Sequence, residues 1–216
     1  MELSERSLRL MIVGSTGAVG QAVLNLALDD PRVSQIIAPT RSPLPPHPKL
    51  ENPLVDFTAL PEDAPWWSVD AVICTLGTTI KAAGSQAAFA AIDRDLPVQF
   101  ARMAHMAGAT SFALTSSLGA SLAANFYLRT KAEAEQGIQA LGFRRLTIVR
   151  PSLIDARRHE LRFGERAGLL VATLLQPLIP RRYRAVKAKS IAHALLEGVM
   201  RTETGEAILE SEELPN

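Results

Sequence analysis

An apolar run from Leu8 to Val13 breaks into Gly14-Ser15-Thr16-Gly17-Ala18-Val19-Gly20, and a helical pattern follows at once. G-x-x-G-x-x-G between a strand and a helix leaves few folds open. Gly14 permits the tight turn out of the strand. Gly17 lets the backbone approach a pyrophosphate, and Gly20 lets the helix lie close against the sheet. The helix start turns unpaired N–H groups and a partial positive charge toward that phosphate. Gly14, Ser15, Thr16, Gly17, Ala18, Val19 and Gly20 are therefore candidate dinucleotide-binding residues. The alternative is a glycine turn with no ligand.

The rest of the chain alternates strand and helix patterns. Strands are expected at Leu8–Val13, Val33–Ala38, Leu50–Val55, Ala71–Thr75, Ser111–Leu114, Leu146–Val149 and Ala207–Leu209. Helices are expected at Ala18–Asp29, Phe89–Met106, Tyr127–Leu141, Leu169–Leu175 and Ser190–Met200, with Pro97 kinking or splitting the second. Strands separated by helices mean βαβ units. The fold class is thus α/β, a doubly wound, mostly parallel sheet with helices on both faces, and ligands in such sheets sit at the carboxyl ends of the strands. The six prolines between Pro39 and Pro53 read as a stiff surface connector.

Composition removes other classes. Lys plus Arg is 23 against 22 acids, a net charge of +1, which argues against a nucleic-acid binder. Cys74 is the one cysteine and lies in an apolar run, so it reads as core. His47, His105, His159 and His193 show no zinc-ligand spacing, and no metal is expected. The longest apolar stretch, Gly168 to Pro180, is 13 residues, too short for a membrane span. The N-terminus does not read as a signal peptide, and the expected location is cytoplasmic. The basic stretch from Arg144 to Lys189 reads as a solvated face or as a site for an anion.

Two further positions carry chemistry. The second strand ends in Ala38-Pro39-Thr40-Arg41-Ser42, with no acid for a ribose 2′-hydroxyl. Arg41 offers its planar fork to a 2′-phosphate, which favours NADP(H) over NAD(H); otherwise it is a solvent-facing loop arginine. The fifth strand ends in Thr115-Ser116-Ser117, and Tyr127-Leu128-Arg129-Thr130-Lys131 follows on a helix. Residues four apart share a helix face, and a cation beside a phenol favours the phenolate. Tyrosine then becomes a usable acid or base, and a serine hydroxyl can hold a substrate oxygen.

With these residues in place, the chain resembles the short-chain dehydrogenase/reductase superfamily. More narrowly it is similar to its atypical Tat-interacting-protein (HTATIP-type) group. The resemblance rests on the glycine spacing, Cys74-Thr75-Leu76-Gly77-Thr78-Thr79, Ile92-Asp93-Arg94-Asp95, Ser116-Ser117-Leu118-Gly119-Ala120, Asn125-Phe126-Tyr127-Leu128 and Arg150-Pro151. It implies an NAD(P)-binding Rossmann fold over residues 1–216, with a small substrate-side portion at about 152–216. It implies Tyr127 as general acid/base, and Lys131 as the residue holding the nicotinamide ribose. Ser117 would orient the substrate oxygen, with Ser116 as second choice. Leu76, Gly77 and Thr78 would line the cofactor, Asp56 and Phe57 the adenine, and Pro151 to Leu153 the carboxamide. Many members carry an asparagine where Asp93 stands here. Only about 65 residues follow Pro151, so large nucleotide-sugar substrates are not expected.

Three functions follow as expectations. The first is an NADP-dependent oxidoreductase acting on a small carbonyl or alcohol. The second is an NADP(H)-binding regulator or sensor working through a protein partner. The third is an epimerase or dehydratase with transient nicotinamide use. A homodimer would pair through the alanine- and leucine-rich helix faces, which equally suit the core; no membrane span is expected.

Overall fold

The computed structural model describes residues 7–155 and 180–214. The helix expected at Leu169–Leu175 lies outside them. Nine strands are described: β1 (Leu8–Val13), β2 (Val33–Ile37), β3 (Leu50–Glu51), β4 (Ala71–Cys74), β5 (Ser111–Thr115), β6 (Arg145–Arg150), β7 (Ile154–Asp155), β8 (Val186–Lys187) and β9 (Gly205–Glu210). The helices are α1 (Ala18–Asp29), α2 (Ile80–Ala83), α3 (Gln86–Ala90), α4 (Leu96–Met106), α5 (Phe126–Gln139) and α6 (Ala188–Met200). Seven strands form one sheet in the order β3-β2-β1-β4-β5-β6-β9, and every described pairing in it is parallel. The chain winds outward from β1 to β3, then returns to β4 beside β1 and winds the other way. That reversal opens a crevice at the carboxyl ends of β1 and β4.

Alternation along the strands divides the core in two, because successive strand side chains point to opposite faces. Leu10 and Ile12 of β1, with Ala71 and Ile73 of β4 and Ala113 of β5, meet Val19, Val23 and Ala27 of α1 and Ile191, Leu195 and Val199 of α6. Met11, Val13, Val72, Cys74, Phe112, Leu114 and Ile148 point the other way, onto Phe100, Ala101 and Ala104 of α4 and Ile138 of α5. Trp66 and Trp67 belong to this second layer. They are buried core, and the Trp67 indole donates to the Pro61 carbonyl at 2.8 Å. Burial pushes the Cys74 thiol up to about 12, as befits a core residue.

Two expected elements differ. The third strand is two residues long, and beyond it only the bridge Thr40–Leu54 continues the pairing. Pro53 has no N–H to give, and the Asn52 side chain takes over: its amide donates to the Ala38 carbonyl at 2.6 Å and the Thr40 hydroxyl at 2.7 Å. The expected helix Phe89–Met106 is α3 and α4 joined by a π turn at Ala91–Asp95. Pro97 is the cause the sequence supplies. Its ring crowds the carbonyl four residues back, that of Asp93, and the wider turn relieves it.

Arg32, after α1, chelates the Asp30 carboxylate and reaches Glu197 of α6. Its hydrogen bonds hold both carboxylates below their usual range. A depressed folded pKa stabilises above the unfolded value and is lost as pH falls through the folded one. Arg32→Ala should therefore lower the melting temperature at neutral pH by a few degrees, about 1 kcal/mol after solvent screening. The difference from the parent should shrink below about pH 4 in a pH series of thermal melts.

Candidate functional site

The glycine loop lies at the carboxyl end of β1, over the crevice. Gly14 adopts φ +87°, which disfavours any side chain, and a Cβ there would lie 2.8 Å from Thr75 Oγ1. Thr75 secures the turn from β4 by donating toward the Val13 and Gly14 carbonyls at 3.0 and 3.2 Å. At Gly20 a Cβ would stand 2.1 Å from the Gly14 carbonyl oxygen, so α1 packs where only glycine fits. Gly17 caps α1 without a side-chain bond, and Thr16, Gly17 and Ala18 are exposed. The Ser15 hydroxyl is buried and has no hydrogen-bond partner among the described residues. An uncapped helix start, a backbone cleared of side chains and an unmatched buried hydroxyl fit a phosphate group.

Arg41 follows β2, exposed at the mouth of the Asn52-braced loop. Asp56 is exposed, and its carboxylate accepts from the Thr58 N–H and hydroxyl, both at 2.8 Å. Those bonds hold its carboxyl below the usual range. Phe57 is half-buried and packs edge-on against Phe100, with ring centroids 5.8 Å apart. The Asp56 carboxylate thus shapes its own turn, and one side of Phe57 serves the core. Leu76 also packs partly on that core, leaving Gly77 exposed beside it.

The second half of the site is built on α5. Asn125 caps it, its side chain accepting from the Leu128 N–H at 3.1 Å, so the helix starts at Phe126 and Tyr127 lies in its first turn. Tyr127, Lys131 and Glu135 follow at four-residue spacing on one face. Tyr127 is half-buried, with its ring 5.4 Å from that of Phe89. No described residue hydrogen-bonds its hydroxyl, nor that of half-buried Ser117.

Lys131 is buried, and its Nζ lies 2.6 Å from Asp93 Oδ1. The π turn carries Asp93 inward, fully buried, and its other oxygen accepts the Thr78 N–H at 2.9 Å. A Cβ on Gly77 would lie 3.7 Å from the ammonium, so the charge sits directly under the loop after β4.

Ser116 is corrected as a second-choice catalytic serine. It is buried and donates a short hydrogen bond to Glu135. The Glu135 carboxylate is in turn held by Arg150 through Nε at 3.0 Å and Nη2 at 2.6 Å, and Arg150 reaches Glu210 of β9 at 3.1 Å. This network binds β5, α5, β6 and β9 behind the site. Beyond the strands, the Ser116 N–H donates to the Val149 carbonyl and the Leu118 N–H to that of Pro151, at 2.8 and 2.9 Å. Ser117 is therefore held between two backbone bonds, with Pro151 buried beside it and Leu153 exposed.

Glu135 and Asn52 were not among the residues the sequence singled out, and Thr75 and Asn125 entered only through the resemblance, with no role given. Glu135 did have a signal: an acid two turns beyond Tyr127, on a face that must turn inward.

No protein-family model matches the chain. It is 35% identical over 175 residues to the protein named fmp52, mitochondrial, of Emericella nidulans, covering 76% of this chain and 74% of that one. Protein HTATIP2 of Rattus norvegicus is 33% identical over 162 residues, covering 72% and 66%. The chain belongs to the HTATIP2/Fmp52 group of atypical short-chain dehydrogenase/reductases. Among solved structures, MoeE5 in complex with UDP-glucuronic acid and NAD superposes with a TM-score of 0.71 at 15% identity, over 94% of this chain and 76% of that one. That likeness establishes the Rossmann-type fold. Membership of the HTATIP2/Fmp52 group supports an oxidoreductase-type function. It also overturns the expected cytoplasmic location, since the Fmp52 relatives are named mitochondrial. No helix among the described residues is long and apolar enough to cross a membrane.

Proposed function

We propose that the chain is an NADP-dependent oxidoreductase that interconverts a carbonyl and an alcohol on a small substrate. The observation that carries this reading is the contrast among three hydroxyls. Ser116 is committed to Glu135, whereas Ser117 and Tyr127 hold no bond to a described residue. Two hydroxyls without a described partner, near the carboxyl end of β5, suit a substrate oxygen that must be held and protonated. Bound there, NADPH supplies the hydride. Tyr127 holds the proton at Oη and passes it to the substrate oxygen during reduction. Ser117 Oγ orients that oxygen, and Lys131 carries positive charge beneath Gly77, toward the nicotinamide ribose. Gly14 to Gly20 hold the pyrophosphate, with Asp56 and Phe57 at the adenine and Leu76 to Thr78, Pro151 and Leu153 along the nicotinamide. The NAD in the MoeE5 complex and the names of the relatives support a nicotinamide cofactor and a mitochondrial setting.

Arg41 decides the nucleotide. Arg41→Ala should weaken NADPH binding roughly tenfold or more, since a charge-assisted hydrogen bond contributes about 1.5–3 kcal/mol, and leave NADH unchanged. Calorimetric titration with each nucleotide measures this; equal loss for both, or none, would remove the NADP preference. The oxidoreductase reading is tested by NADPH oxidation with aldehydes, ketones and quinones against a substrate-free blank. One observation favours the sensor reading as a second choice: the Lys131 charge is already met by Asp93. Tight NADPH binding with no turnover across the panel selects it.

A further inference from the structure

The π turn at Ala91–Asp95 is fastened to α5 from both sides. Outside, Arg94 bonds Glu133 of α5 at 2.9 Å and its neighbour Asp95 at 2.7 Å. Inside, Asp93 meets Lys131 at 2.6 Å, with both side chains buried. Burying two charges is costly, and each of these two is offset only while the other stays beside it. Asp93 also takes the Thr78 N–H, so one carboxylate ties together α5 and the loop after β4. A Cβ on Gly77 would meet Asp93 Oδ1 at 3.5 Å and the Lys131 ammonium at 3.7 Å, so the charge pair lies directly beneath this glycine. A dinucleotide crossing the carboxyl end of β4 passes over this point.

We propose that Asp93 is a positioning residue that fixes the Lys131 ammonium beneath Gly77, so that the ammonium meets the cofactor's nicotinamide ribose already in place. The inference rests on the dinucleotide reading of the site. It differs from a role as a loop prop because it acts through Lys131.

The test is a double-mutant cycle read by NADPH affinity, using calorimetry on the full chain. The parent, Asp93→Asn, Lys131→Met and the double variant are compared, with thermal melts alongside. With Lys131 present, Asp93→Asn should weaken NADPH about tenfold. In the Lys131→Met background the same change should cost less than about twofold, because the ammonium it positions is gone. Equal losses in both backgrounds overturn the proposal and leave Asp93 as a prop for Thr78. No loss in either also overturns it. A folded parent that binds neither NADPH nor NADH overturns the dinucleotide reading itself, a distinct result. Should Asp93→Asn fail to fold, Asp93→Glu keeps the charge pair but displaces the ammonium. It should weaken NADPH with Lys131 present and have no effect in the Lys131→Met background; equal effects in the two backgrounds overturn the proposal.

Discussion

Replacing Tyr127 by phenylalanine is expected to lower turnover by roughly 10²–10⁴-fold, the range a positioned general acid contributes. NADPH affinity and the melting temperature should stay essentially unchanged. The structure separates these effects. The Tyr127 ring packs on Phe89 with 5.4 Å between centroids, and phenylalanine keeps that contact. Its hydroxyl bonds no described residue, so removing it strands no buried partner. The loss then falls on proton transfer alone. Steady-state rates with any carbonyl that turns over, beside a calorimetric titration and a melt, measure the three quantities. An equally active variant would remove Tyr127 from the reaction. A variant that loses NADPH instead would make it a binding residue. Ser117→Ala should act in the same direction more weakly, since it orients the substrate oxygen without supplying the proton.

The glycine loop, the alternation of strands and helices and the Tyr127–Lys131 spacing were legible because each is a local pattern with one physical cause. Gly14 and Gly20 are where the sequence reading put them, and the contacts a Cβ would meet give the reason. The apolar run around Cys74 read as core, and β4 is buried on both faces. What the sequence left unread depends on contacts between segments far apart in the chain. Which of Ser116 and Ser117 lacks a described partner turns on Glu135, 19 residues beyond Ser116 on α5. Asp93 stood out in the sequence as a departure from the resembled family, but its partner emerged only once the π turn brought it to Lys131. The short β3 has a similar origin, in an Asn52 side chain that substitutes for strand pairing. Location was misread for a different reason: charge and hydropathy near the N-terminus carry little about compartment, whereas the relatives' names do.

Glu135→Ala is the change expected to cost most in stability. It removes both hydrogen bonds from the Arg150 fork and the acceptor of the Ser116 hydroxyl. Arg150 keeps Glu210, but its side chain is only 20% exposed and cannot rehydrate freely. Breaking a buried pair by deleting one partner typically costs about 3–5 kcal/mol, because the remaining charge stays desolvated. At roughly 2–4 °C per kcal/mol for a domain of this size, the melting temperature should fall by about 6–20 °C. The burial, not the attraction, is the cause, and a second variant separates the two. Glu135→Leu combined with Arg150→Met removes both charges and refills the space, and should recover most of the loss. A double variant no more stable than Glu135→Ala would show that the ion pair itself supplies the stability. The serine loop gives an independent readout. Ser117 is held between the Ser116–Val149 and Leu118–Pro151 backbone bonds, and the Ser116 side chain is anchored by Glu135. The refilled double variant should therefore regain stability while remaining catalytically impaired, because leucine offers Ser116 no acceptor.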